Sequence, residues 1–187
     1  MHIRSAGADG CRRAAVPLYV AGGNKDFNLG THLTGDEEVF TPASPGGPTP
    51  ADSRAQGQAI SRVSDDGSTV DFKVIASNIN NVIMSHIHCG VFGANGPIRM
   101  WLYPVIGPSG AAGPSGAGRH NGVLAAGTFS PTGVICPASA VGTDMPLLDA
   151  MRAGLTYVNV HTNDGVGAAN SGPGDFPGGE IRGQLDH

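Results

Sequence analysis

An all-β domain is the fold class that the sequence predicts, and three observations predict it. Thirty Gly and 14 Pro among 187 residues favour turns over helices and follow no short repeat of the collagen kind. Only 14% of residues are charged while 40% are hydrophobic, which suffices for a modest core and argues against ordinary disorder. Between the turns, short stretches alternate apolar and polar side chains with the period of two that marks a strand. The expected architecture is a Greek-key β-sandwich or flattened barrel of seven to nine antiparallel strands, with one short helix near 144–153 and long Gly/Pro-rich loops.

The elements follow in order. Residues 1–24 read as a leader or flexible N-terminal segment, and residues 25–187 as a single domain. Phe27, Leu29, Thr31 and Leu33 share one face of a first strand, with Asn28, His32 and Thr34 opposite. Asp36–Asp52 carries four prolines and no period, so a loop is expected. Gln56–Arg62 and Val70–Ala76 are expected to pair across Asp65-Asp66-Gly67. Val82–Cys89 and Ile98–Tyr103 are strands joined by a turn at residues 93–97, and Gly107–Gly118 is a Gly/Pro excursion. Val123–Phe129 is a strand. A helix is expected over Asp144–Ala153, ended by Gly154. Thr156–Thr162 is a strand, Asn163–Gly178 a second long loop, and Glu180–Leu185 closes the domain.

Charge narrows the function classes. The net charge is −4, the 11 Lys and Arg residues are scattered, and no basic stripe exists to neutralise phosphates, so nucleic acid is not an expected partner. No apolar run is long enough for a membrane span. A protein partner or homo-oligomer stays open. The polar stretch Met1–Arg13 and the short apolar stretch broken by Pro17 make no signal peptide. The alternatives are a cytoplasmic chain or one whose signal has been removed. The scarcity of lysine, Lys25 and Lys73 alone, favours a secreted or periplasmic protein. Cys89 and Cys136 can form a disulfide in such a compartment, leaving Cys11 in the leader.

The chemistry lies in the histidines. Strand parity puts Val82, Met84, His86 and His88 on one face and Ile83, Ser85, Ile87 and Cys89 on the other. Two imidazoles at i and i+2 stand about 6–7 Å apart at Cβ, close enough to converge on one ion. Tyr157, Asn159 and His161 share a face opposite the apolar Val158 and Val160, and His32 likewise lies opposite Leu29 and Leu33. A metal site of His86, His88 and His161, with His32 as a fourth ligand, is therefore expected on the outer wall of the domain, roofed by the loops at 90–97 and 163–178. Asn159, Asp164, Glu180 and Arg182 are candidates for orienting the imidazoles, with Glu180 and Arg182 also placed to form an ion pair. His120 is expected to be solvated or a loop-borne ligand, and His2 and His187 are terminal. All-imidazole donors suit copper, with zinc as the alternative.

Several motifs also carry a resemblance. Leu33-Thr34-Gly35 with Glu38-Val39, Ser85-His86-Ile87-His88 with Gly90, the run Leu147–Gly154, Tyr157–Thr162 and the closing Gly178–Leu185 together resemble the CHRD family, named after a domain repeated in chordin. The resemblance spans Phe27–Leu185 and implies a secreted or periplasmic β-sandwich. More loosely, a His-x-His strand followed by a late Val-x-Val-His strand is similar to copper-zinc superoxide dismutase, which implies His86, His88 and His161 as copper ligands. The bridging histidine and acidic zinc loop of the dismutases have no match, and Phe40-Thr41-Pro42 stands where the CHRD pattern has Pro-Pro. The expected function is copper handling or copper redox chemistry such as superoxide dismutation, with no catalytic residue assigned. The rivals are a non-catalytic binding or matrix module and, third, a zinc hydrolase using Glu180, Asp164 or Asp175 as base.

Overall fold

The structure, a computed structural model, describes residues 27–42, 45–104 and 118–186. The expected leader, Cys11, His2, His187 and nearly all of the 107–118 excursion lie outside the described residues. The strands are β1 (Phe27–Thr34), β2 (Gln56–Val63), β3 (Val70–Asn80), β4 (Val82–Cys89), β5 (Ile98–Tyr103), β6 (Arg119–Phe129), β7 (Ile135–Cys136), β8 (Met145–Pro146), β9 (Thr156–Thr162) and β10 (Ile181–Gln184). Eight of them form one antiparallel sheet in the order β5-β4-β9-β10-β1-β2-β3-β6. Its edge strands β5 and β6 approach each other, so the sheet nearly closes into a barrel. This is the all-β class that turn content and alternation predict. Among the described residues, no helix is long and apolar enough to cross a membrane.

One face of the sheet makes the core. Leu29, Leu33, Ala59, Val63, Phe72, Val74, Ile87, Val158, Val160 and Ile181 pack into one buried cluster. Leu147, Ala150 and Met151 of α2 (Leu147–Arg152) join it. Each fully buried aliphatic side chain stabilises the fold by about 1.5–3 kcal/mol relative to exposure. The β2–β3 turn is pinned at Asp66, which accepts hydrogen bonds from Ser64 Oγ (2.8 Å), Ser68 N (2.9 Å) and Ser68 Oγ (2.7 Å).

Two expectations are corrected. The helix is shorter than Asp144–Ala153, because the residue before a proline is pushed out of the helical region. Met145–Pro146 is therefore extended and pairs with Ile135–Cys136, and the helix begins only at Leu147. A further single-turn helix, α1 (Ala138–Val141), precedes it and ends at Gly142 with φ 86°. The other correction concerns β4. A register shift between Val82 and Met84 reverses parity at the strand's start, so Val82 faces the core rather than sharing the histidines' face.

Cys89, at the end of β4 and inside the core, is disulfide-bonded to Cys136 of β7 with a Cα separation of 5.5 Å. That bond ties the covering segment 135–152 to the strand that carries two of the histidines.

Candidate metal centre

The sheet's register brings the three histidines together. In the β4–β9 pair, His86 lies opposite Asn159, His88 opposite Tyr157, and Met84 opposite His161. All these side chains stand on the face away from Ile87, Val158 and Val160. The ligand nitrogens of His86, His88 and His161 lie within 4.8 Å of one another. This is the trio that the sequence expects, on the wall it expects.

The face is not open to water, however. His86 is completely buried, and His88 and His161 are only 7% and 6% exposed. Three loop segments cover them. Residues 90–97 lie over His88 and Tyr157, where Gly96 N–H donates to the Tyr157 hydroxyl (3.0 Å). The loop following β9 places the Pro177 carbonyl on His161, and Phe176 meets Phe40 edge-on at 5.6 Å. The Asn95 amide donates to Val39 O at 2.9 Å, joining the first covering segment to residues 38–40.

The covering loops fix the imidazoles. His88 Nδ1–H donates to the Gly96 carbonyl (2.8 Å) and His161 Nδ1–H to that of Pro177 (2.9 Å). His88 therefore presents its Nε2 lone pair toward the cluster, the way in which carbonyls orient metal-binding histidines, while His161 Nε2 also faces Asn159 Oδ1. Gly96 must be glycine here, since a Cβ would collide with the Cys89 carbonyl. His86 Nδ1 faces His161 Nε2 at 3.2 Å. Among the described groups, His86 Nε2 and His88 Nε2 have no hydrogen-bond partner although both are buried. Leaving a buried polar atom unpaired costs about 1–3 kcal/mol, so the two in this cluster are free to pair with an ion or a small polar guest.

Electrostatics prepare the rings for a cation. Burial pushes the His86 pKa down to about 3, helped by the proximity of His161 and His88. Burial lowers His161 to about 4 against the opposing bond to Pro177, and lowers His88 against the bond to Gly96. All three are neutral near pH 7, the state a metal requires.

Aromatic and charged neighbours complete the site. Trp101, opposite His86 on β5, sets its ring edge-to-face on that imidazole at 4.1 Å. Tyr157 is stacked on His88 at 4.7 Å with 9° between the planes, and the Arg182 guanidinium covers its other face at 3.4 Å. Glu38 was not anticipated as a site residue. Its carboxyl is pushed up to about 8 by burial, opposed by nearby Arg182 and by a hydrogen bond with Asn159. Glu38 Oε1 is buried without a partner among the described groups. Gly179, at φ 133°, leaves the space that this carboxyl fills. Glu38 lies in the turn after β1, where strand parity says nothing, and only its place in the Leu33–Val39 motif marked it.

The remaining expected residues divide. Asn159 is at the centre, its Oδ1 2.9 Å from His161 Nε2. Arg182 reaches the site through Tyr157 and is anchored by Asn95 Oδ1 (3.1 Å) and Ala94 O (2.9 Å). The expected Glu180–Arg182 ion pair is replaced by other bonds. Glu180 accepts from Ser53 Oγ, Thr162 Oγ1 (2.6 Å) and Gly174 N (2.8 Å), which fastens the covering loop. His32 is exposed on β1, two strands from β9, and the structure does not bring it to the trio. His120 is half-buried, with Nε2 3.3 Å from Gly122 O, also outside the trio. Asp164 is exposed and accepts from Val166 N, and Asp175 accepts from Ser171 N. None of the three carboxylates considered as a hydrolytic base joins the imidazoles.

A β-barrel wall carrying three clustered imidazoles, two of them held by loop carbonyls, defines an all-β domain with a candidate metal centre. The CHRD domain family matches residues 29–185, most of the chain, and the protein belongs to that family. Comparison with curated proteins and with solved structures finds no match.

Proposed function

We propose that this is a secreted or periplasmic copper-binding CHRD domain in which His86, His88 and His161 hold the ion. The observation that carries the reading is the pair of buried, unpartnered Nε2 atoms on His86 and His88 within ligand distance of His161. The donor set is all imidazole, with no carboxylate in the group, which suits copper, with zinc as the alternative. Copper would supply a one-electron couple for redox chemistry such as superoxide dismutation, or be carried as cargo in copper handling. The chain's own residues hold the imidazoles neutral, orient His88 and His161 through Gly96 and Pro177, and exclude bulk water. The Cys89–Cys136 disulfide supports placement in an oxidising compartment.

Trp101 is the sole tryptophan and touches His86, so its emission reports on the site. Stoichiometric Cu(II) added to chelator-treated protein is expected to quench that emission and to give a type-2 paramagnetic signal. His86→Ala, His88→Ala or His161→Ala should each weaken copper at least about 100-fold, beyond the roughly 10–100-fold expected for Asn159→Ala as an outer partner. His32→Ala should change nothing. Quenching that survives all three ligand substitutions would sink the proposal.

One observation favours a second reading as a protein-binding module: Phe92 and Val91, on the covering turn, are 72% and 42% exposed. A thermal-shift series with Cu, Zn and Ni separates the two, since a ligand of the native state raises the melting temperature and a bare module shows no shift.

A further inference from the structure

We propose that a cleft lined by none of the imidazole-site residues binds a uronic acid unit of a saccharide. The cleft measures about 470 Å³, within the range of small-molecule sites, and is lined by Asp52, Arg54, Asn78, Asn80, Arg119 and Pro173. Four segments converge on it: the turn before β2, the end of β3, the start of β6, and the loop after β9.

The backbone is shaped to bring these groups together. The β3–β6 register shifts between Ala76 and Ile79, and Asn78 within that bulge takes φ 56°, in the left-handed region. Bulges of this kind re-aim side chains, and strained non-glycine residues concentrate where a site needs them. Asn78 is held in place from two sides. Its N–H donates to Asn121 Oδ1 at 2.8 Å, and the Arg119 guanidinium donates to its Oδ1.

What remains is unused hydrogen-bonding capacity of a particular kind. Among the described residues, the Arg54 guanidinium and the Asn80 amide have no hydrogen-bond partner. Asp52 uses Oδ2 for Thr49 N–H (2.7 Å) and the Thr49 hydroxyl (3.1 Å), leaving Oδ1 as an acceptor. Two guanidiniums and one carboxylate leave a balance of one positive charge. That set suits a single carboxylate, which a planar guanidinium binds in a fork. Asp52 and the amides suit the hydroxyls around that carboxylate, and the Pro173 ring offers an apolar wall for sugar C–H groups. A sulfate or phosphate would meet the same guanidiniums, but its second negative charge would exceed the balance that Asp52 leaves.

The test is calorimetric and NMR titration of the full chain with sodium glucuronate, glucose and sodium sulfate. Saturable glucuronate binding is expected, with amide shifts at Asn78, Asn80 and Arg119 and no saturable binding of glucose. Arg54→Ala should weaken glucuronate at least about tenfold, the scale of one charge-assisted contact. Because Arg54 makes no structural bond, this variant should melt where the wild type does. The proposal is overturned if glucuronate does not bind, if Arg54→Ala binds it equally well, or if sulfate binds as tightly. None of these results depends on metal, so the copper reading stands or falls separately.

Discussion

Strands β2 and β9 obey the same alternation and end in opposite environments. On β2, Gln56, Gln58, Ile60 and Arg62 face water while Gly57, Ala59, Ser61 and Val63 are buried. On β9 all seven residues are buried, although Tyr157, Asn159 and His161 stand on the face that β2 leaves wet. The sheet itself does not make this difference. Over β4, β9 and β10 the segments 38–42, 90–97 and 163–180 form a cover, and over β2 and β3 nothing comparable lies among the described residues. Covering a polar face desolvates it, so its groups must find partners. Most do, through Gly96, Pro177, Ala94 and Asn95. Among those that do not are the His86 and His88 Nε2 atoms and Glu38 Oε1, which mark this wall as a candidate site.

The largest expected effect comes from loosening the covered strand. Cys89 ends β4, and its N–H donates to Pro97 O at the far end of the first covering turn. The disulfide closes a loop with a sequence separation of 47. On the chain-entropy account such a crosslink stabilises by about 4 kcal/mol. Reduction, or Cys136→Ser, should therefore lower stability by about that amount in a denaturant melt, and Trp101 emission should follow the same transition. If Trp101 and far-ultraviolet ellipticity separate, the cover opens before the sheet.

The same contrast explains what the sequence shows and what it hides. The expected bounds of β1, β4, β5 and β9 hold, and parity puts His86, His88 and His161 on outward faces that the β4–β9 pairing then joins into one wall. Parity does not count strands. His32 has the right face, yet β10 stands between β1 and β9, so the fourth ligand expected there does not reach the group. Nor does parity see a bulge, which is why Val82 belongs to the core. Trp101 and Glu38 were missed for a related reason. One meets His86 through a β4–β5 register with its own shift, and the other comes from a turn with no period. Burial of the face, the property that lowers the imidazole pKa values, depends on loops whose course no periodicity encodes.

Glu38 offers a smaller and more specific break. A carboxyl whose folded pKa is raised from 4.5 to about 8 stabilises the fold fully below the lower value, and that contribution is lost as pH rises through the upper one. The imidazoles act in the opposite sense. Their folded values, about 3 for His86 and about 4 for His161, lie below 6.5, so their contribution is present above 6.5 and lost as pH falls toward those values. The covered face of metal-free protein is thus squeezed from both sides. Glu38→Gln removes one side only. Relative to wild type, the variant should gain up to about 2 kcal/mol between pH 6.0 and 7.5, the work of one proton over that interval. An unchanged difference across that range would mean that Glu38 titrates normally in the fold.

The smallest effect is expected on the uncovered wall, and it gives the comparison its control. Gln58 has the same parity on β2 that Asn159 has on β9, and it is exposed opposite His32 and Ile75. Gln58→Ala should change stability by no more than about 0.5 kcal/mol, as for most surface substitutions. Asn159→Ala deletes a buried amide that lies against His161 and Glu38, which should cost about 1–3 kcal/mol in metal-free protein. Denaturant melts of both variants measure the effect of the cover directly, since strand geometry and face are matched. Equal costs would mean that position on the outer face, and not enclosure by the loops, sets the energetics of this wall. The unpaired imidazole nitrogens would then no longer distinguish it.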